Sequence, residues 1–159
     1  MEAAGPATDT AVVTDLAGLP ALAGSELGAT AWREMTQERV NAFADATGDH
    51  QFIHIDAVRA AATPFGGTIA HGYLTLSMLA PASQALLKVT DAAMGVNYGL
   101  DRVRFPAPLP VGAEFRVVGQ VGAVLPIEGG VQLHLTMTVE VRDRPKPALV
   151  AQSLVRYYA

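Results

Sequence analysis

Across residues 131–141 every odd position is Val, Leu or Met, while the even positions carry Gln132, His134, Thr136, Thr138 and Glu140. A strand turns successive side chains to opposite faces, so this run predicts a long antiparallel strand with one face covered and one wet. Residues 114–125 and 149–158 read as two more strands, and 95–105 contains one or two. Turns are expected at 126–130 and 143–147, where Pro, Gly and Asp collect. Ahead of the strands lies a different pattern. Residues 71–87 are apolar on most sides of a helix, with Leu74, Leu76, Met78, Leu79, Ala82, Leu86 and Leu87. A helix apolar all round is one that is buried, and Pro81 is expected to bend or divide it. One buried helix followed by four or five long strands implies an α+β layer, an antiparallel sheet wrapped around a central helix. The helix covers only one side of its neighbours, so a second copy is expected to complete the packing.

The first half is less regular. Residues 1–24 are rich in Ala, Gly, Thr and Pro and read as a loosely ordered arm with one short helical turn near 14–22, leaving 25–159 as the domain. Residues 31–35 suit a short strand. Thr36 is placed to cap a helix that carries Val40, Phe43 and Ala44 and stops at Gly48. Asp56 is placed to cap a further short helix ending near Ala62, before the breaker run 63–67.

At 159 residues, half of them hydrophobic and 16 % charged, the chain has the bulk for one folded domain. A net charge of −4 gives no basic footprint for nucleic acid. Without cysteine there is neither a disulfide framework nor a thiolate metal site. The apolar stretch 69–87 is broken by His71, Pro81, Ser83 and Gln84, short of the roughly 20 residues that a span needs. The first ten residues lack the basic start and apolar block of a secretory signal. A soluble, cytoplasmic protein is expected.

The chemistry concentrates in the loop TGDHQFIH, residues 47–54, and in the His71-Gly72 pair beyond it. Asp49 and His54 are five apart, which is wrong for one helix face but allows a turn to bring both to one point. An acid and a base sharing one water can transfer protons. The glycines of 66–72 open a helix whose free N–H groups can stabilise a developing oxyanion. His50 and His54 are four apart, yet no H-E-x-x-H pattern or third ligand accompanies them, so no metal is expected. Gly66-Gly67 lacks the pattern of a nucleotide loop. His134 is expected to be an exposed strand residue. Arg102 and Arg104 alternate along one strand face, where they either meet phosphate or lie open to water. Asn97 and Tyr98 either line a pocket or pack behind the helix.

Three blocks in order resemble the MaoC-like dehydratases, the (R)-specific enoyl-CoA hydratases or hydratase 2, with the nodulation-protein-N-like branch closest. The family's Gly-Asp-x-Asn-Pro-aliphatic-His run is matched by Gly48, Asp49, His50, Gln51, Phe52, Ile53 and His54. Gln51 and Phe52 replace Asn and Pro, which leaves both reactive side chains in place. Ile69-Ala70-His71-Gly72 is similar to the start of the family's central helix. Residues 97–112, NYGLDRVRFPAPLPVG, are similar to its second block. The resemblance spans residues 32–158 and implies a hot-dog fold and a homodimer with the site near the subunit boundary. It implies reversible hydration of trans-2-enoyl-CoA to (R)-3-hydroxyacyl-CoA, with Asp49 and His54 sharing the water and the Gly72 N–H facing the thioester oxygen. No cofactor is implied beyond the CoA thioester substrate itself. His71, Asn97, Tyr98, Arg102 and Arg104 are the further candidates for substrate contact. A hot-dog thioesterase and a non-catalytic acyl-CoA-binding subunit are the competing readings.

Overall fold

The computed structural model describes residues 11–159. Its centre is an antiparallel sheet built from β6 (Glu114–Ile127), β7 (Gly130–Val141) and β8 (Leu149–Tyr158). These pair in sequence order, with β5 (Met94–Arg104) on the free side of β8 and β2 (Glu26–Ala29) on the outer side of β6. β3 (Arg33–Glu34) also pairs with β6. The alternation at residues 131–141 appears as burial: Leu133, Leu135, Met137, Val139 and Val141 are all buried, and the residues between them are half-exposed. That inner face closes on the central helix through Leu74, Leu79, Ala82 and Leu86. This is the expected hot-dog arrangement, α+β with the sheet curled around the helix.

The central helix is in two pieces, α4 (Gly72–Ser77) and α5 (Leu79–Leu86), and the break lies at Met78 rather than at Pro81. A proline ring clashes with the carbonyl four residues earlier, so the interruption must precede it. Burial is also less complete than an all-round apolar pattern implies, because Tyr73, Pro81, Gln84 and Ala85 are exposed. The β6–β7 turn is tighter than expected, with only Glu128 and Gly129 between the strands and Pro126 inside β6. Proline is tolerated there because β2 pairs with β6 only around Val118–Gln120, which leaves that end of β6 an edge. β5 is one continuous strand with two register irregularities against β8.

Thr36 caps α1 (Gln37–Thr47), accepting from the Arg39 N–H at 3.3 Å, and Gly48 ends it at φ 79°, a conformation that favours glycine. The loop at residues 47–54 contains an unforeseen single helical turn, α2 (Phe52–Ile55), with His54 on it. α3 (Ala57–Ala61) follows, capped by Asp56 on the Arg59 N–H at 3.0 Å. The expected arm differs as well. Its first ten residues lie outside the described region, but residues 11–24 are built into the domain. β1 (Val12–Thr14) pairs in parallel with β4 (Leu87–Val89), and Leu19, at the start of a 3-10 turn (Leu19–Leu22), is completely buried. Isolated apolar points carry no period from which this could be read. No described helix is long and apolar enough to cross a membrane.

Candidate active site

Three local devices bring the reactive groups together. The left-handed Gly48 turns the chain sharply out of α1, so Asp49 starts a short exposed bend. The α2 turn then points His54 inward, where it is 6 % exposed. Ile69, one residue before Ala70 and two before His71, bonds its N–H to the Ile53 carbonyl at 3.0 Å, tying the loop to the helix start. A carboxylate oxygen of Asp49 and one ring nitrogen each of His54 and His71 lie within 4.8 Å of one another. With hydrogen bonds of about 2.8 Å, one water can touch two groups that far apart.

The Nδ1–H of His54 donates to the Ile69 carbonyl at 2.8 Å. That bond assigns the tautomer and leaves Nε2 with its lone pair free to accept a proton. Burial lowers the pKa of His54 below its ordinary value; the Ile69 carbonyl and Asp49 oppose this, and the neighbouring His71 adds to it. A depressed pKa keeps the imidazole neutral and available as a base.

His71 is not where a substrate contact would be. It is 2 % exposed, its Nε2–H donates to the backbone carbonyl of Asp49 at 2.9 Å, and its ring stacks on His54 at 3.8 Å. It braces the Asp49 bend from beneath, and its Nδ1 is buried without a protein partner. Of the two readings of His71, ring contact with substrate or orienting the helix start, these contacts favour an orienting role. Asp49, His54 and His71 do form the third-ligand set missing from the His50–His54 spacing. Rings stacked 3.8 Å apart with planes only 27° from parallel, however, keep their in-plane lone pairs in separate planes, whereas zinc ligands must converge on one point. His50 is elsewhere, exposed and bonded to Asp45 at 2.9 Å; that bond raises its pKa.

Gly72 opens α4, so its N–H has no partner inside the helix. A Cβ at this position would lie 3.3 Å from the Phe105 ring, so any larger residue would have to push that ring aside by a few tenths of an ångström. Gly72 and Phe105 line a cavity of about 280 Å³. A second cavity, of about 310 Å³, is lined by Leu76, Ala80 and Ser83 of the central helix facing Asn97 and Leu100 of β5.

The remaining candidates divide. Asn97 lines the second cavity. Tyr98 instead lies under the Arg156 guanidinium, 3.2 Å from the ring centroid, and lines neither cavity. Arg102 and Arg104 also line neither, and Arg104 donates to the Val103 carbonyl at 2.7 Å. The alternation that put both arginines on one face of β5 carries them away from the helix. His134 faces Asp101 at 3.7 Å on the outer side of the sheet.

Sequence reasoning passed over Gln37. Its side-chain nitrogen donates to the His54 carbonyl and to Asn41, each at 2.8 Å, and its oxygen accepts from the buried Thr68 hydroxyl at 2.6 Å. Thr68 is the residue before Ile69, so one amide holds both the peptide of His54 and the segment that orients its ring. A glutamine in the first turn of a helix carries no sequence signal for this; only the fold reveals it.

A family model described as the MaoC like domain matches residues 19–142. The 3-hydroxyacyl-thioester dehydratase Z of Mycobacterium tuberculosis is 50 % identical over 145 residues, which cover 91 % of this chain and 96 % of that protein. Nodulation protein N of Rhizobium leguminosarum bv. viciae is 46 % identical over 141 residues, covering 86 % of each. Among solved structures, the unliganded R-hydratase PhaJ1 of Pseudomonas aeruginosa superposes with a TM-score of 0.71 at 22 % identity, over 86 % of this chain and 81 % of that one, and so shares the fold.

Proposed function

The chain belongs to the MaoC-like dehydratase family of lyases, and from that premise we propose that it reversibly adds water to a trans-2-enoyl-CoA to give the (R)-3-hydroxyacyl-CoA. The observation that carries this reading is the convergence of Asp49 and His54 within reach of one water. The thioester makes the β-carbon electrophilic. His54 Nε2 takes one proton from the water as its oxygen bonds to that carbon, and the displaced electron pair moves to the thioester oxygen. The Gly72 N–H holds that oxygen. The proton taken up by His54 then passes by way of Asp49 to the α-carbon, which returns both side chains to their starting state. His71 keeps the Asp49 bend in place from below.

The active form is a homodimer. Among the described residues β5 is an edge strand of the sheet and exposes Met94, Val96, Tyr98 and Leu100, an apolar display that a lone chain has no use for. Its Asn97 and Leu100 also wall the 310 Å³ cavity, so a second copy laid along β5 would close that space for an acyl chain.

Incubation with crotonyl-CoA tests the reaction. Hydration removes the enoyl absorbance without releasing thiol, and chiral analysis of the product gives the R form. Release of free CoA would instead identify a thioesterase, and binding without turnover a non-catalytic subunit.

A further inference from the structure

The cavity at Gly72 adjoins another. Ala107 and Pro108 line the 280 Å³ space beside Gly72 and also a hollow of about 200 Å³, whose other walls are Arg144, Pro145 and Lys146. Ala148, two residues past Lys146, lines the first space again, so the turn between β7 and β8 borders both. A flexible ligand with its carbonyl at Gly72 can therefore run over an apolar stretch of about three residues and end against two cations.

We propose that Arg144 and Lys146 form the subsite for phosphate on the handle of the thioester substrate, a phosphorylated pantetheine-type arm; this rests on the thioester reading above. Among the described residues neither side chain has an ion-pair partner, although Arg142 of the same turn is tied to Glu114 at 2.7 Å. The single acid of the turn, Asp143, forms no ion pair with either of them. Two free positive charges stand out on a chain of net charge −4. Pro145 and Pro147 fix the backbone beside them, so little chain entropy is lost when they engage a ligand. A guanidinium grips phosphate through two parallel N–H groups, and an ammonium adds a compact charge.

The same comparison removes the arginines that the sequence put forward. Arg102 and Arg104 stand on β5, adjoin neither the Gly72 cavity nor its neighbour, and Arg104 already donates to a backbone carbonyl. The phosphate site thus moves from the edge strand to the β7–β8 turn.

The test compares one enoyl group on two handles, CoA and N-acetylcysteamine, the second of which has no phosphate. In the double variant R144Q/K146Q the KM for the CoA thioester should rise on the order of tenfold with kcat unchanged, and the short thioester should be hydrated as before. The phosphopantetheine thioester separates the contributions of its single phosphate and the CoA diphosphate. The R102Q/R104Q control should leave both substrates unaffected. An unchanged KM for the CoA thioester, or an equal loss on both handles, overturns the proposal. If neither thioester is hydrated by the unaltered chain, the enzymatic reading fails, and calorimetric titration with CoA itself then decides the subsite. Loss of CoA affinity in R144Q/K146Q alone supports it, and equal affinity in both proteins overturns it.

Discussion

The two halves of the candidate site are built to different standards. His54 is buried and held on every side: its ring by the Ile69 carbonyl and by stacking on His71, its carbonyl by Gln37, its N–H by the Gln51 carbonyl at 2.9 Å. Asp49 is exposed, and its carboxylate meets only the Gln51 N–H, at a long 3.4 Å. Its backbone is braced by His71 while its side chain is left free. A preorganised base costs nothing to orient during reaction, whereas a loosely held carboxylate can follow the proton from water to carbon. The burial that fixes one partner also lowers its pKa, so its position and its neutral, proton-accepting form come from the same packing.

Removing His54 is the strongest way to break this contrast. His54→Ala should lower kcat by roughly 10²–10⁴-fold and also lower the melting temperature, because it empties a packed, hydrogen-bonded position. Asp49→Ala should cost a similar factor in rate while thermal unfolding stays unchanged; calorimetry beside steady-state rates separates the two. A melting loss from Asp49→Ala equal to that from His54→Ala would refute the asymmetry. Gln37→Leu sharpens the comparison, since it loosens the base without touching substrate. We expect a drop in kcat on the order of tenfold with KM unchanged, and no effect on the titration of His50.

The smallest effect concerns pH. Burial depresses the pKa of His54, so between its folded value and the ordinary 6.5 the unfolded chain binds more protons than the folded one. Stability from this group is complete above 6.5 and declines as pH falls through that window. His50 behaves oppositely: its bond to Asp45 raises its pKa, so its contribution is present below 6.5 and is lost as pH rises through the folded value. Proton-detected titration of the histidines should find one midpoint on each side of 6.5. Two midpoints on the same side would show that the environments have been assigned wrongly.

The same division between packed and open explains what could be read from the sequence. β7 was legible because one face is covered along its whole length, which forces a period of two. Thr36, Gly48 and Asp56 were legible because caps are local chemistry. β5 was located, but two register irregularities interrupt its alternation, so periodicity could not say which side chains face the site. For that reason Arg102 and Arg104, placed by alternation, and Tyr98, offered as a pocket or packing residue, do not line either cavity. β1 and the buried Leu19 gave no signal because parallel pairing with β4 depends on residues some 75 positions distant. Gln37 and His71 act through backbone carbonyls, which leave no mark on side-chain spacing. Asp49, His54 and Gly72 could be nominated from their types and order alone, and the structure brings the first two within 4.8 Å of one another.

The central claim is that Asp49 and His54 work on one water as a unit, and a double-mutant cycle in the hydration of crotonyl-CoA tests it most directly. With Asp49→Asn, His54→Gln and the combined variant measured against the unaltered chain, the double variant should be no slower than the slower single one, because groups acting as a unit are not additive. Losses that multiply, each variant costing the same whether or not the other is present, would contradict the account.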